Sequence, residues 1–324
     1  MRIAVFGAGG MGGFLGGVLA RSSEGVTLIA RGAHLEAICA NGLTVKSQLL
    51  GDFTVPVRAT DDPREVGPVD LILFCVKTYD LEAAAEQARP LLGENTVLIP
   101  VQNGIEVPDQ LARILGEKHV LGGLTYVGGS IEAPGVVAQR GKTGGLVFGE
   151  LQGGKSPRAE RVLNALRQAG LDATLEADIR GKMWEKFIVI SATGGVLALL
   201  RQPFGPIFAS PEGRQLMRGT MEEVYALARA SDIDLPEDTV DRLFGFLKNN
   251  VSPAAQSSTL QDLLAGRRLE LEYLNGAAVR IGRKLGVETP FNFVIYAALK
   301  PYVEGSPTEP EGVSASSNAS KARP

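Results

Sequence analysis

Apolar residues run along this chain in two rhythms. Up to about residue 150 they come as short unbroken runs parted by glycine turns, and beyond it they recur every three or four positions almost without pause. Ile3 to Phe6 is an apolar run that halts at Gly7, as a strand buried on both faces halts before its turn. Residues 11–21 then carry Phe14, Leu15, Val18 and Leu19 at helical spacing, and 26–30 form a second strand. The alternation continues with strands at 70–76 and 96–101 and helices at 80–92 and 105–115. The glycine-rich stretch 120–149, with Val136, Val137, Leu146, Val147 and Phe148, predicts strands that complete a sheet.

From Pro157 the period is helical, and helices are expected near 157–169, 178–200, 212–230, 237–249, 257–265, 268–285 and 291–302. The pattern predicts an α/β domain over residues 1–170 and an all-α domain over 171–303. The tail, 304–324, has no apolar periodicity and is expected to be disordered. A length of 324 residues suits two domains with room for a buried core in each.

Between the first strand and the first helix stands Gly7-Ala8-Gly9-Gly10-Met11-Gly12, a G-x-G-x-x-G within a strand, turn, helix, strand unit of roughly 30 residues. Gly7 permits the tight turn, Gly9 lets the backbone approach a pyrophosphate, and Gly12 lets the helix pack on the strand, with the helix amino terminus facing the anion. The fold class is therefore a Rossmann-type dinucleotide-binding domain followed by an all-helical substrate domain. NAD-selective sites place an acidic residue at the end of the second strand, and here that place holds Arg31. A guanidinium cannot accept hydrogen bonds from a ribose but pairs well with a 2′-phosphate, so the expected cofactor is NADP(H). Ligands of such sheets lie beyond the carboxyl ends of strands, where Lys77 and Asn103 follow two of the runs. Ordinary turn chemistry competes with a binding role for both, most directly at Asn103-Gly104.

Composition narrows the partners. The net charge is -3 with 21% charged residues, which offers no basic surface for a nucleic acid. Cys39 and Cys75 form no C-x-x-C pair, so neither a disulfide framework nor a metal site is expected, and a reducing cytoplasm fits. The amino terminus carries no extended apolar leader, and the uncharged run 187–200 is shorter than a membrane span. No membrane partner is expected, and the assembly state is left open, with a homodimer among the options.

Lys186 is the last charge before that uncharged run, with Ile190, Thr193 and Leu197 on its face of the helix. An ammonium held against such a stripe is partly desolvated, which lowers its pKa toward a range useful for proton donation, although lysines at domain edges usually reach solvent instead. On the helix expected at 268–285, Glu270 shares its stripe with Leu274, Ala277 and Ile281, whereas Glu272 faces the polar side. A carboxylate on an apolar stripe needs a partner or a task. The chain's two histidines, His34 in the loop after the second strand and His119 before a later one, lie outside the helical half. Lys186 is therefore the best-placed proton donor by pattern. Ser257-Ser258-Thr259 reads as a capped helix start.

Six segments together, GAGGMG at Gly7, CVKTYD at Cys75, VQNG at Val101, MWEKF at Met183, SSTLQD at Ser257 and LELEYLNG at Leu269, give a specific likeness. The chain resembles the ketopantoate reductase (2-dehydropantoate 2-reductase) family over nearly its whole folded length. That resemblance implies an NADPH-dependent reduction of a 2-keto acid, ketopantoate to pantoate in coenzyme A biosynthesis. It implies Lys186 as general acid with Glu270 beside it, Ser258 on the substrate carboxylate, and Asn103 between nicotinamide and substrate. Lys77 and Glu270 would line the cofactor site with Gly7, Gly9, Gly10, Met11 and Gly12, and Arg31 would hold the 2′-phosphate. Ile190 and Gly194 stand where the family's best-studied pattern has asparagines, which points to a more apolar pocket and a bulkier 2-keto acid or related carbonyl or imine as an alternative. A cofactor-binding sensor without catalysis is the alternative from a different class.

Overall fold

The computed structural model describes residues 1–22, 25–141 and 144–306. The tail expected to be disordered lies, from residue 307 on, outside the described residues. Strands β1 (Ile3–Phe6), β2 (Val26–Ile29), β3 (Leu43–Ser47), β4 (Phe53–Val55), β5 (Arg58–Thr60), β6 (Val69–Phe74) and β7 (Leu92–Pro100) are followed by β8 (Gly122–Thr125), β9 (Gly128–Ala133), β10 (Val136–Arg140), β11 (Leu146–Gly149) and β12 (Ala173–Leu175). Between them lie helices α1 (Gly10–Ala20), α2 (Gly32–Asn41), α3 (Leu81–Ala88), α4 (Val107–Leu115) and α5 (Pro157–Gln168).

Five strands pair in parallel in the order β5-β2-β1-β6-β7. Ile3 is opposite Val26 on one side and Leu71 on the other, so the first apolar run is the centre of the sheet and all four of its residues are buried. A parallel bridge between Leu98 and Val120 joins β7 to the chain entering β8 and so links a second sheet, β12-β11-β8, to the edge of the first. β12 pairs in parallel with β11, which carries the first unit's hydrogen bonding to Leu175, past residue 170.

A third sheet, β4-β3-β10-β9, covers the other side of α1. The glycines of α1 reflect that sandwich: a Cβ at Gly16 would lie 2.5 Å from the Leu28 side chain, and one at Gly17 would lie 2.7 Å from Val45. Glycine is a poor helix former, but only hydrogen atoms fit where a helix is pressed between two sheets. The strands expected over 120–149 form, but β9 and β10 join β3 in this separate sheet and do not complete the first; β3, β4 and α2 were not foreseen, because these strands are short and α2 buries only Ile38.

The second unit consists of α6 (Ile179–Leu200), α7 (Phe204–Ala209), α8 (Pro211–Ala230), α9 (Thr239–Asn250), α10 (Ser258–Leu264), α11 (Asn275–Leu285) and α12 (Pro290–Leu299). By length and composition α6 could cross a membrane, but 72% of its apolar window is buried, and it packs against α8, α10 and α12 at the centre of this unit. The helix expected at 268–285 is broken. A single 3-10 turn, Leu271–Tyr273, precedes Leu274 at φ -111° and ψ -104°, and α11 starts only at Asn275. Glu270 therefore stands ahead of the turn and not on an apolar helical stripe. The 80–92 helix also ends early, because Leu92 already belongs to β7.

Candidate active site

The strand order reverses between β1 and β6, and ligands of such sheets lie at the carboxyl ends of the two strands flanking the reversal. Gly7 turns the chain there at φ +99°, and a Cβ on it would lie 2.9 Å from the nitrogen of Val76, just beyond β6. Gly12 is packed so closely that its Cβ would lie 2.0 Å from the Gly7 carbonyl oxygen. Gly9 is different: a Cβ there would meet nothing within 4 Å. Beside this open space α1 begins with no side-chain cap and no acidic residue in its first turn. The helix's unpaired first-turn N–H groups and the positive end of its dipole are thus left to a ligand. Room at Gly9 and bare donors beside it fit a pyrophosphate.

The loop is braced from behind. A Cβ at Gly10 would lie 2.2 Å from the nitrogen of Ser130 on β9. His34 lies on α2, not in a loop, and its Nδ1 accepts from the Gly135 N–H at 3.0 Å while Nε2 lies 2.9 Å from the Ala8 carbonyl oxygen. The backbone N–H fixes Nδ1 as the acceptor, so Nε2 carries the hydrogen and donates. His34 therefore fastens the glycine loop to the turn between β9 and β10. Arg31 precedes α2 at the end of β2, largely exposed, with its guanidinium 3.1 Å from the Asp80 carboxylate.

Two further groups come from the next strand end. Lys77 follows β6 and donates to Glu270 at 2.9 Å and Asp262 at 3.3 Å. Burial pulls its ammonium down, but the charges of Glu270 and Asp262 outweigh that and hold its pKa above the ordinary lysine value. The second carboxylate oxygen of Glu270 accepts from the Thr78 N–H and hydroxyl, each at 2.9 Å. Glu270, from the helical half, is thereby locked onto the end of β6. The neighbouring Cys75 thiol is pushed up by burial, stays protonated and offers no nucleophile.

Lys186 lies on α6, which packs on β8. Its Nζ donates to the Thr125 carbonyl at 2.8 Å and sits 5.8 Å from the centre of the Tyr126 ring. The residue is 9% exposed. Burial lowers its pKa from 10.5 to about 8, against a smaller upward pull from Glu270. It shares the wall of a small cleft with Gln102, Asn103, Leu124, Phe187 and Ile190. The structure thus brings Lys186 and Asn103 together and sets Glu270 electrostatically beside the lysine.

Two positions fall elsewhere. Ser258 opens α10, exposed, and the side chain that caps this helix is that of Ser257, which accepts from the Leu260 N–H at 3.2 Å. Gly194 faces α10, where a Cβ would lie 3.0 Å from the Thr259 hydroxyl, so of the two substituted positions only Ile190 lines the cleft. Sequence reasoning missed Thr125, whose contribution is a backbone carbonyl, and Thr78; it also passed over Gln102, although an amide directly after an apolar strand was a visible signal.

Residues 3–153 match the family described as ketopantoate reductase PanE/ApbA, and residues 178–303 match its C-terminal domain. The chain belongs to the ketopantoate reductase family. Membership makes it an oxidoreductase of the kind that acts on a CH–OH group, with a dinucleotide-binding Rossmann half. A 2-dehydropantoate 2-reductase of Mesorhizobium japonicum is 31% identical, with 90% of this chain and 94% of that one covered. One of Pyrococcus horikoshii is 30% identical, with 93% and 97% covered. The crystal structure of a PanE/ApbA family ketopantoate reductase from Ralstonia eutropha JMP134 superposes with a TM-score of 0.86 at 34% identity, covering 94% of this chain and 98% of that one.

Proposed function

We propose that this protein reduces a 2-keto acid to the 2-hydroxy acid with NADPH, Lys186 delivering the proton. The observation that carries this is a buried ammonium lining the cleft between α6 and the segment that follows β7, the same segment that holds Asn103. The Gly7–Gly12 loop would hold NADPH with Arg31 on its 2′-phosphate, and the bound cofactor would be the source of hydride for the carbonyl carbon. The chain's part is the other charge: as hydride arrives, the carbonyl oxygen gathers negative charge, and Lys186 gives it a proton and is recharged from solvent. The Thr125 carbonyl fixes where Nζ stands, and Glu270 favours its charged form. Asn103 is assigned to orient the carbonyl and Ser258 to take the substrate carboxylate.

Ketopantoate is the substrate that the family name and the two named relatives support. Ile190, with Leu124, Met183 and Phe187, makes the wall around Lys186 apolar, and this favours a second reading, a 2-keto acid with a larger apolar side chain. Following NADPH absorbance over a panel of 2-keto acids separates the two, since turnover confined to ketopantoate removes the second. Lys186→Ala is expected to cut turnover by about 10² or more with NADPH binding unchanged. Tight NADPH binding with no turnover on any acid would instead leave a sensor.

A further inference from the structure

Gln102 is 6% exposed, and neither its side-chain nitrogen nor its side-chain oxygen has a hydrogen-bond partner. It follows β7 by two residues and shares the cleft wall with Asn103 and Lys186. An amide buried without partners is costly, and the cost recurs in every copy that folds. The surrounding groups do not relieve it: the Lys186 ammonium donates to the Thr125 carbonyl and makes no bond to Gln102, and the lining at Leu124, Phe187 and Ile190 is apolar. A ligand that enters the cleft can supply the missing partners, and the two bare atoms say which kind fits. A carboxylate or a keto oxygen only accepts, so it would satisfy the nitrogen and leave the oxygen bare. A carboxamide presents a donor and an acceptor on neighbouring atoms and can satisfy both.

We infer that Gln102 is the residue that reads the carboxamide of the nicotinamide ring, by a two-point amide-to-amide pair at the end of β7. The inference rests on the NADPH reading above and adds to it a residue that sets the rotation of the ring. With the carboxamide held, the ring cannot turn over, so only one of its faces is offered toward Asn103 and Lys186. Gln102 is thus a binding and positioning residue, not a proton donor.

The test uses binding and needs no substrate. Affinities of the full chain for NADPH and for reduced 3-acetylpyridine adenine dinucleotide phosphate, in which a methyl replaces the amide NH2, are measured by quenching of intrinsic fluorescence. Wild type is expected to prefer NADPH by about tenfold or more, because the analogue leaves the Gln102 oxygen bare again. Gln102→Met, close in size and without polar atoms, is expected to bring the two affinities within about twofold of each other. Gln102→Asn, with a shorter amide, serves if the methionine variant does not fold, and is expected to lose most of the preference. Equal affinities in wild type, or an undiminished preference in either folded variant, overturns the inference. Failure of wild type to bind either dinucleotide overturns the NADPH reading itself, which is a different result from binding without preference.

Discussion

Lys186 carries a charge that the protein has made expensive to keep. With its pKa brought down to about 8, the ammonium predominates at neutral pH and is lost as pH rises through about 8. A reaction that needs this proton is expected to have a turnover plateau below that pH and a fall above it, read from kcat against pH. Glu270 opposes the shift, so Glu270→Gln lowers the lysine pKa further and moves the fall to more acidic pH. A fall at the same pH in both proteins would remove either the lysine or its neighbour from the proton step. Arg31 makes a second prediction at this scale. Its exposed pair with Asp80 is the kind worth little on its own, so a 2′-phosphate can take the guanidinium over. Arg31→Asp is expected to reverse the preference between NADPH and NADH, measured as the ratio of kcat/KM, and an unchanged ratio would clear Arg31 of that role. Lys186 was legible in the sequence because it is the last charge before a long uncharged run. The site's other half was not, since the Thr125 carbonyl is a group every residue has and only folding aims it.

Elements were legible where their period was long and their ends were marked. α6 and α8 came through because Asp178 and Ser210 cap them and their apolar residues repeat over many turns. The break before α11 was hidden. The 3-10 turn keeps neighbours three apart in rough register, and Leu274, which precedes α11, gives no capping signal, so the apolar spacing runs on through the interruption. Another helix start is capped from a distance. Glu223 on α8 accepts from the Phe291 N–H at 2.7 Å and from the Asn292 N–H at 2.9 Å, in the first turn of α12, and from the Asn292 side chain at 2.7 Å. That Asn292 in turn accepts from Asn275, which also donates to the Ser191 carbonyl of α6. Glu223→Ala is expected to cost about 1–3 kcal/mol in urea unfolding, and Glu223→Gln less, because the amide oxygen still accepts. A neutral alanine variant would show that the network is satisfied by other groups.

At the level of the whole molecule the two halves are joined by charge as well as by packing. Besides the Lys77, Glu270 and Asp262 cluster, Arg280 of α11 reaches Glu106 at 2.7 Å and Arg180 of α6 reaches Asp109 at 2.8 Å. The fold class, a Rossmann-type α/β half followed by a helical half, was readable from hydrophobic rhythm, though α2, β3 and β4 were not. Which residues meet across the join was not, because such pairs lie far apart in the chain, as Lys77 and Glu270 do, and no local pattern encodes them. The hydrogen bond between Lys186 and Thr125 has a consequence of its own. Its donor and its acceptor sit on opposite sides of the short connection between β12 and α6, so neither fragment contains a working acid. Made as separate polypeptides, 1–177 and 178–324, the pieces are expected to be inert alone and to regain turnover on mixing, in proportion to the complex formed; activity from either piece by itself would contradict this. Turnover would then act as a titration of reunited fragments, and a catalytic assay would double as a measurement of how tightly the severed parts recognise each other.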